Sequence, residues 1–82
     1  MLSIEYRYFF QSALDSSIRK ASQSLNINSS AIVRQIQKLE ERLQTKLFIR
    51  NARGLELTDE GQLLFDHLSV QNEINHNFLY DL

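Results

Sequence analysis

The stretch from Asn28 to Leu43 constrains the fold of this chain more than any other. Ile32, Ile36, Leu39 and Leu43 follow one another at spacings of four, three and four, which draws one apolar stripe along an α-helix. At about 100° per residue, Ser30, Arg34 and Gln37 project from the other side, flanked by Val33 and Lys38. The outward face is short and polar at the helix start, with positive charge behind it. Such a helix can bury its back in a small domain and present its front to a DNA major groove. Taken alone, it reads first as an amphipathic helix with a solvated face, so the rest of the chain has to decide.

The chain has 82 residues, enough for one domain and one modest core. It has no cysteine, which excludes a disulfide framework, a thiolate zinc site and a cysteine nucleophile, and fits a reducing compartment. Apolar runs such as Leu47-Phe48-Ile49 are too short to span a bilayer or form a secretory signal. The expectation is a soluble cytoplasmic protein with no membrane contact. The net charge of −1 hides a strong asymmetry. All nine lysines and arginines fall in residues 1–54 against four acids, a balance of +5, whereas residues 55–82 carry six acids and no lysine or arginine, −6. A phosphate backbone would lie against the basic part.

Upstream of the central helix, Tyr6, Phe9, Phe10 and Ala13 repeat at helical spacing and predict a first helix over Ile4 to Leu14 with a bulky inner face. These aromatics are expected in the core rather than on a base-stacking platform. Asp15-Ser16-Ser17 offers caps for a second helix carrying Ile18, Ala21 and Leu25, with Arg19 and Lys20 exposed in its first turn. Asn26 can take the left-handed position that ends it, Ile27 can pack beneath the turn, and Asn28 or Ser29 caps the central helix. Two helices separated so closely form a helix-turn-helix.

Downstream, Leu47-Phe48-Ile49 and Leu55-Glu56-Leu57 favour strands, and Arg50-Asn51-Ala52-Arg53-Gly54 turns the chain between them. The expected hairpin is a wing with two arginines at its tip. It must lean on the helices through Phe48 and Leu57, because an isolated hairpin is marginal. Arg50 and Arg53 are candidate phosphate or minor-groove contacts. Thr58-Asp59-Glu60 then opens a last helix, with Thr58 as cap and two acids at the positive end of the dipole. Gly61 in its first turn is a cost of about 1 kcal/mol relative to alanine. Leu64 and Leu68 should pack on the body, while Val70, Ile74 and Phe78 run past it and are expected to form a homodimer interface. The fold class is mainly α: a winged helix-turn-helix over 1–58, followed by a linker and dimerisation helix over 59–82.

In this order and at these separations, a set of motifs resembles one family. They are Tyr8-Phe9, Ser17-Ile18, Ala21-Ser22-Gln23-Ser24-Leu25-Asn26-Ile27, Arg34-Gln35-Ile36, Leu39-Glu40, Leu47-Phe48-Ile49-Arg50 and Arg53-Gly54-Leu55-Glu56-Leu57-Thr58-Asp59-Glu60-Gly61. The chain resembles the N-terminal DNA-binding domain and linker helix of LysR-type transcriptional regulators. The resemblance implies a dimer that binds inverted-repeat operators in double-stranded DNA and regulates transcription at the nucleoid. Carried over by position, it implies that Asn28, Ser29, Ser30, Val33, Arg34 and Lys38 meet the major groove or its flanking phosphates. Ser17 would hold a phosphate at the start of the second helix, and Arg50 and Arg53 would serve the wing. The family usually has glutamine, proline and serine where this chain has Ser29, Ser30 and Val33, and a turn glycine where it has Gln44. Val33 presents two methyl groups, which can touch a thymine methyl but cannot hold a phosphate. Family members also carry a C-terminal effector-binding domain, so a small-molecule effector is expected only if such a domain follows Leu82.

Two other classes of function compete with this one. An enzyme is not expected, with no cofactor and no metal. His67 and His76 are nine residues apart, on opposite sides of a straight helix, and no phosphate-cradling glycine loop or nucleophile elbow is present. The alternative that remains is a winged helix that only dimerises or docks a protein partner, with the acidic arm as its working surface.

Overall fold

The computed structural model describes residues 3–81, with side chains described as far as Gln71. Its elements run α1 (Ile4–Asp15), α2 (Ile18–Leu25), α3 (Ser29–Leu43), β1 (Phe48–Asn51), β2 (Gly54–Leu57) and α4 (Asp59–Asp81). The two strands form one antiparallel hairpin, and Ile74, Phe78 and His76 lie outside the described side chains.

Short polar side chains start each of the first three helices. Ser3 Oγ accepts from the Tyr6 amide, Ser17 Oγ from the Lys20 amide and Asn28 Oδ1 from the Ser30 amide, each satisfying a donor the helix leaves free. Of the two cap candidates before α3, Asn28 is the one used. The same helices end at left-handed residues, Ser16 (φ 52°), Asn26 (φ 55°) and Gln44 (φ 55°). In the turn after α2, the Asn26 amide bonds Gln23 O at 3.3 Å and the Ile27 amide bonds Ser22 O at 3.1 Å, so Ile27 folds back onto the core as expected. Gln44 answers the departure noted in the sequence. It adopts the glycine conformation itself, and the Thr45 amide closes on Glu40 O at 3.0 Å. Asp15, one of the three cap candidates before α2, is instead the last residue of α1. Its carboxylate accepts from Gln11 Nε2 (3.0 Å) and Ser24 Oγ (2.9 Å), tying α1 to α2.

The core is built by Phe9, Ala21, Ile32, Ile36, Leu39, Leu47 and Leu68. Complete burial of a large apolar side chain contributes about 1.5–3 kcal/mol, and Tyr6, Phe10, Phe48, Leu57 and Phe65 add partly buried surface around this short set. The aromatics of α1 are core residues: Phe9 is fully buried against Phe48 (centroids 5.2 Å apart), and Phe10 stacks on Phe65 of α4 at 5.0 Å. The apolar stripe of α3 stops one turn early, because Leu43 is 40% exposed. Ser12 is also fully buried, and its hydroxyl has no hydrogen-bond partner among the described residues.

Two side chains fix the hairpin to the helices. Glu40, half-buried on α3, accepts from the amides of Leu47 (2.7 Å) and Phe48 (3.3 Å), and Lys46 Nζ lies 3.9 Å from its other oxygen. Thr58 Oγ1 donates to Lys46 O at 2.7 Å while accepting from the Gly61 amide at 3.0 Å, and the Thr58 amide bonds Leu47 O. The two ends of the wing are thus joined at its root. In α4, Leu64 and Phe65 pack against the core and Leu68 belongs to it, while Leu63 and Val70 are 72% and 55% exposed.

Candidate nucleic-acid interface

The first turn of α3 lies beside the start of α2 because the three-residue turn Asn26-Ile27-Asn28 brings the two helices together. The hairpin then returns along the same side. Its register pairs Phe48 with Leu57, Ile49 with Glu56, Arg50 with Leu55 and Asn51 with Gly54. This corrects one expectation: Arg50 is a strand residue facing Leu55, and only Arg53 stands in the two-residue turn. The turn is shortened because Asn51 Oδ1 accepts from the Arg53 amide at 2.9 Å and Gly54 takes φ 121°, a value open to glycine. Its α-carbon also faces the Ser16 carbonyl, which a β-carbon would meet at 3.7 Å. The tip end of the wing therefore lies against the α1–α2 turn at Gly54.

Together these elements enclose an open cleft of about 460 Å³, lined from α2 by Ser17, Ile18 and Arg19, from α3 by Ser29, Ser30 and Val33, and from the hairpin by Arg50, Asn51, Gly54 and Leu55. A second hollow continues it towards Gln37, Lys46 and Phe48, sharing Ile18, Val33, Arg50 and Leu55. Five of the residues singled out in the sequence, Ser17, Ser29, Ser30, Val33 and Arg50, meet in the first cleft. Arg34 and Lys38 are exposed on α3 and Arg53 at the tip of the wing, outside either hollow. Asn28 is exposed but committed: its carboxamide oxygen accepts both the Ser30 amide and the Ser30 hydroxyl at 3.1 Å. Ser30 thereby presents its free lone pairs outward, as an acceptor.

The chemistry of this face suits an anion. Ser17 uses a lone pair to cap α2, leaving its O–H to donate, and the free amides at the starts of α2 and α3 add the positive ends of two dipoles. Neither helix has an acid in its first turn. Arg19, which sequence reasoning left outside the site, lines the cleft with Arg50. The signal was present, since Arg19 lies two residues beyond the serine that caps α2. Arg42 is excluded from this surface: it pairs with Glu5 of α1 at 2.6 Å and lies over the Tyr6 ring. The hydrogen bond and charge of Glu5 raise the Arg42 pKa above its ordinary value. His67 is exposed on α4, and no group of His, Cys, Asp or Glu among the described residues could hold a metal ion. No helix among the described residues is long and apolar enough to cross a membrane.

Comparison with known proteins agrees with this geometry. The sequence profile described as "Bacterial regulatory helix-turn-helix protein, lysR family" matches residues 5–62. The HTH-type transcriptional regulator GltR of Bacillus subtilis (strain 168) is 46% identical over 59 residues, 72% of this chain and 20% of that protein. The HTH-type transcriptional activator AmpR of Providencia stuartii is 46% identical over 63 residues, 77% of this chain and 22% of that protein. The chain therefore spans about a fifth of the length of these relatives. Among solved structures, a BenM_DBD/catB site 1 DNA complex superposes with a TM-score of 0.83 at 28% identity, over 99% of this chain and 92% of that one. A CbnR_DBD–DNA complex superposes with a TM-score of 0.81 at 28% identity, over 94% and 88%. GltR and AmpR are transcriptional regulators, BenM_DBD and CbnR_DBD are held on DNA, and these likenesses do not favour a winged helix that only docks proteins.

Proposed function

This chain belongs to the lysR family of bacterial regulatory helix-turn-helix proteins, and we propose that it is a sequence-specific DNA-binding unit that regulates transcription. One observation carries the reading: the starts of α2 and α3 and the strand residue Arg50 converge on a single cleft rich in donors. In this reading α3 enters the major groove, where Ser29, Ser30, Val33 and Arg34 face base edges. Ser17, Lys38, Arg50 and Arg53 hold the phosphate backbone on either side. Asn28 acts through Ser30, whose hydroxyl it orients. Residues 1–58 form the reading head and 59–82 the arm.

The reading includes a symmetric homodimer joined through α4, with one α3 per half-site of an inverted repeat. Exposure of Leu63 and Val70 supports it, since apolar side chains on a projecting helix are covered most simply by a second copy. The site of action is the bacterial cytoplasm, on the nucleoid, without cofactor or catalysis. Any response to a small-molecule effector would rest on residues beyond the fifth of the relatives' length matched here.

The test is selection of bound duplexes from a random DNA library at moderate salt. Enrichment of a short inverted repeat is expected. Failure to enrich any sequence, with only background binding that salt abolishes, would overturn specific reading.

A further inference from the structure

The floor of the cleft is apolar in a way that phosphate binding does not require. Ile18 of α2, Val33 of α3 and Leu55 of β2 line both hollows, at the seam where they join. All three are half-buried. Ile18 packs on the hydrophobic core, but Val33 and Leu55 stand outside it, so their apolar surface is turned to the groove rather than used to hold the fold. Around this floor the cleft is polar and cationic: Ser17, Arg19 and Arg50 on the flanks, Ser29 and Ser30 one turn before Val33. An apolar spot flanked by the phosphate-binding groups Ser17, Arg19 and Arg50 fits a partner that is anionic outside and apolar at one point. The major groove of duplex DNA has one such feature, the 5-methyl group of thymine.

We propose that Val33, backed by Ile18 and Leu55, is a thymine-methyl contact that fixes one base of each half-site. The assignment rests on the DNA-binding reading above and sharpens it: Ser30 and Arg34 are left to hydrogen-bond neighbouring bases, while the Val33 position discriminates by shape and hydration. A hydroxyl at this position could donate to phosphate or to a base. Valine can do neither, so its contribution to affinity comes from excluding water against a methyl group. Burial of one such group corresponds to about a fourfold change in binding at each half-site.

The test uses the purified chain and the duplex it enriches from the random library. Each thymine of a half-site is replaced in turn by deoxyuridine, which removes the methyl and leaves the hydrogen-bonding edge intact. Affinity is measured by anisotropy for the unsubstituted protein, Val33→Ala and Val33→Thr. The penalty is the thymine-to-uracil affinity ratio within each protein, so a general loss of affinity in a variant cancels. One thymine per half-site is expected to show a penalty of about fourfold, abolished in Val33→Ala and reduced in Val33→Thr. Helix content by circular dichroism checks that both variants are folded. Specific binding with no such thymine, or with a penalty unchanged in both variants, overturns the methyl contact and leaves the DNA-binding reading standing. Absence of any enriched duplex overturns both.

Discussion

Gly61 of α4 lies directly against the Leu47 carbonyl group. A β-carbon at Gly61 would overlap the Leu47 oxygen and come within 3.0 Å of its carbonyl carbon and of Leu57 Cδ2. The glycine that looks like a defect in a helix start is the point where α4 closes on the root of the wing. Two of the obstructing atoms are backbone, so they cannot swing aside.

Gly61→Ala therefore separates two expectations of opposite sign. Helix propensity alone favours alanine by about 1 kcal/mol. The contact predicts a loss of about 1–3 kcal/mol or more through overpacking. Urea denaturation of the two proteins decides, and a stabilised alanine variant would show that α4 does not approach Leu47 so closely.

Glu40→Ala should cost about 1.5–3 kcal/mol, because it leaves the amides of Leu47 and Phe48 without their charged acceptor. DNA affinity should fall with it, since the hairpin is oriented from α3 by this carboxylate. Equal stability in thermal melts would mean that the bonds do not hold the connection.

Gln44→Gly should stabilise by about 1 kcal/mol. Gln44 holds φ 55° at the end of α3, a conformation that strains any residue with a β-carbon. Gain is limited because glycine also frees the unfolded chain and the Gln44 side-chain bond to Glu41 O is lost. The midpoint of chemical unfolding is the readout, and a decrease would refute the strain argument.

Arginine removal should divide by position. Arg50→Ala and Arg53→Ala are each expected to lower DNA affinity and to reduce the slope of log K against log salt by about one phosphate contact. Arg42→Ala should leave the slope unchanged, since its guanidinium is paired with Glu5 away from the cleft. A uniform response across all three would indicate a general charge effect in place of the assigned contacts.

Dimerisation through α4 predicts that Val70→Asp combined with Ile74→Asp and Phe78→Asp gives a monomer by sedimentation, with weaker binding to the inverted repeat. A dimer persisting in this variant would place the interface elsewhere.

The helix order was legible because the chain punctuates itself with local signals: Ser17, Asn28 and Thr58 cap, and Asn26 terminates, each within a few residues of the groups it bonds. The outward face of α3 was legible for the same reason, from periodicity. Contacts across the fold were not. Glu40 and Gly61 have meaning only once Leu47 is beside both of them, and no local pattern announces that meeting. Arg50 was misplaced at the tip because the hairpin's register depends on the Asn51 side chain and on Gly54, which shorten the turn. Leu43 continued the stripe by spacing, but α3 has by then passed the layer that would cover it. Arg19 shows a related gap: its charge was plain, and its place in the cleft follows only from how the hairpin returns over α2.

Thr58 donates to Lys46 O and caps Gly61, so the wing, the end of the α3 connection and the start of the arm share one fastening. In mechanical terms the hairpin is a bracket bolted at its root, with Glu40 of α3 as the second fixing. A twist applied to α4 from further along the arm cannot be absorbed between the strands; it is delivered to the angle at which the wing meets α3. In the proposed dimer, the spacing of two such heads on a duplex and the tilt of their wings would then be one adjustable quantity, set by whatever moves the arms.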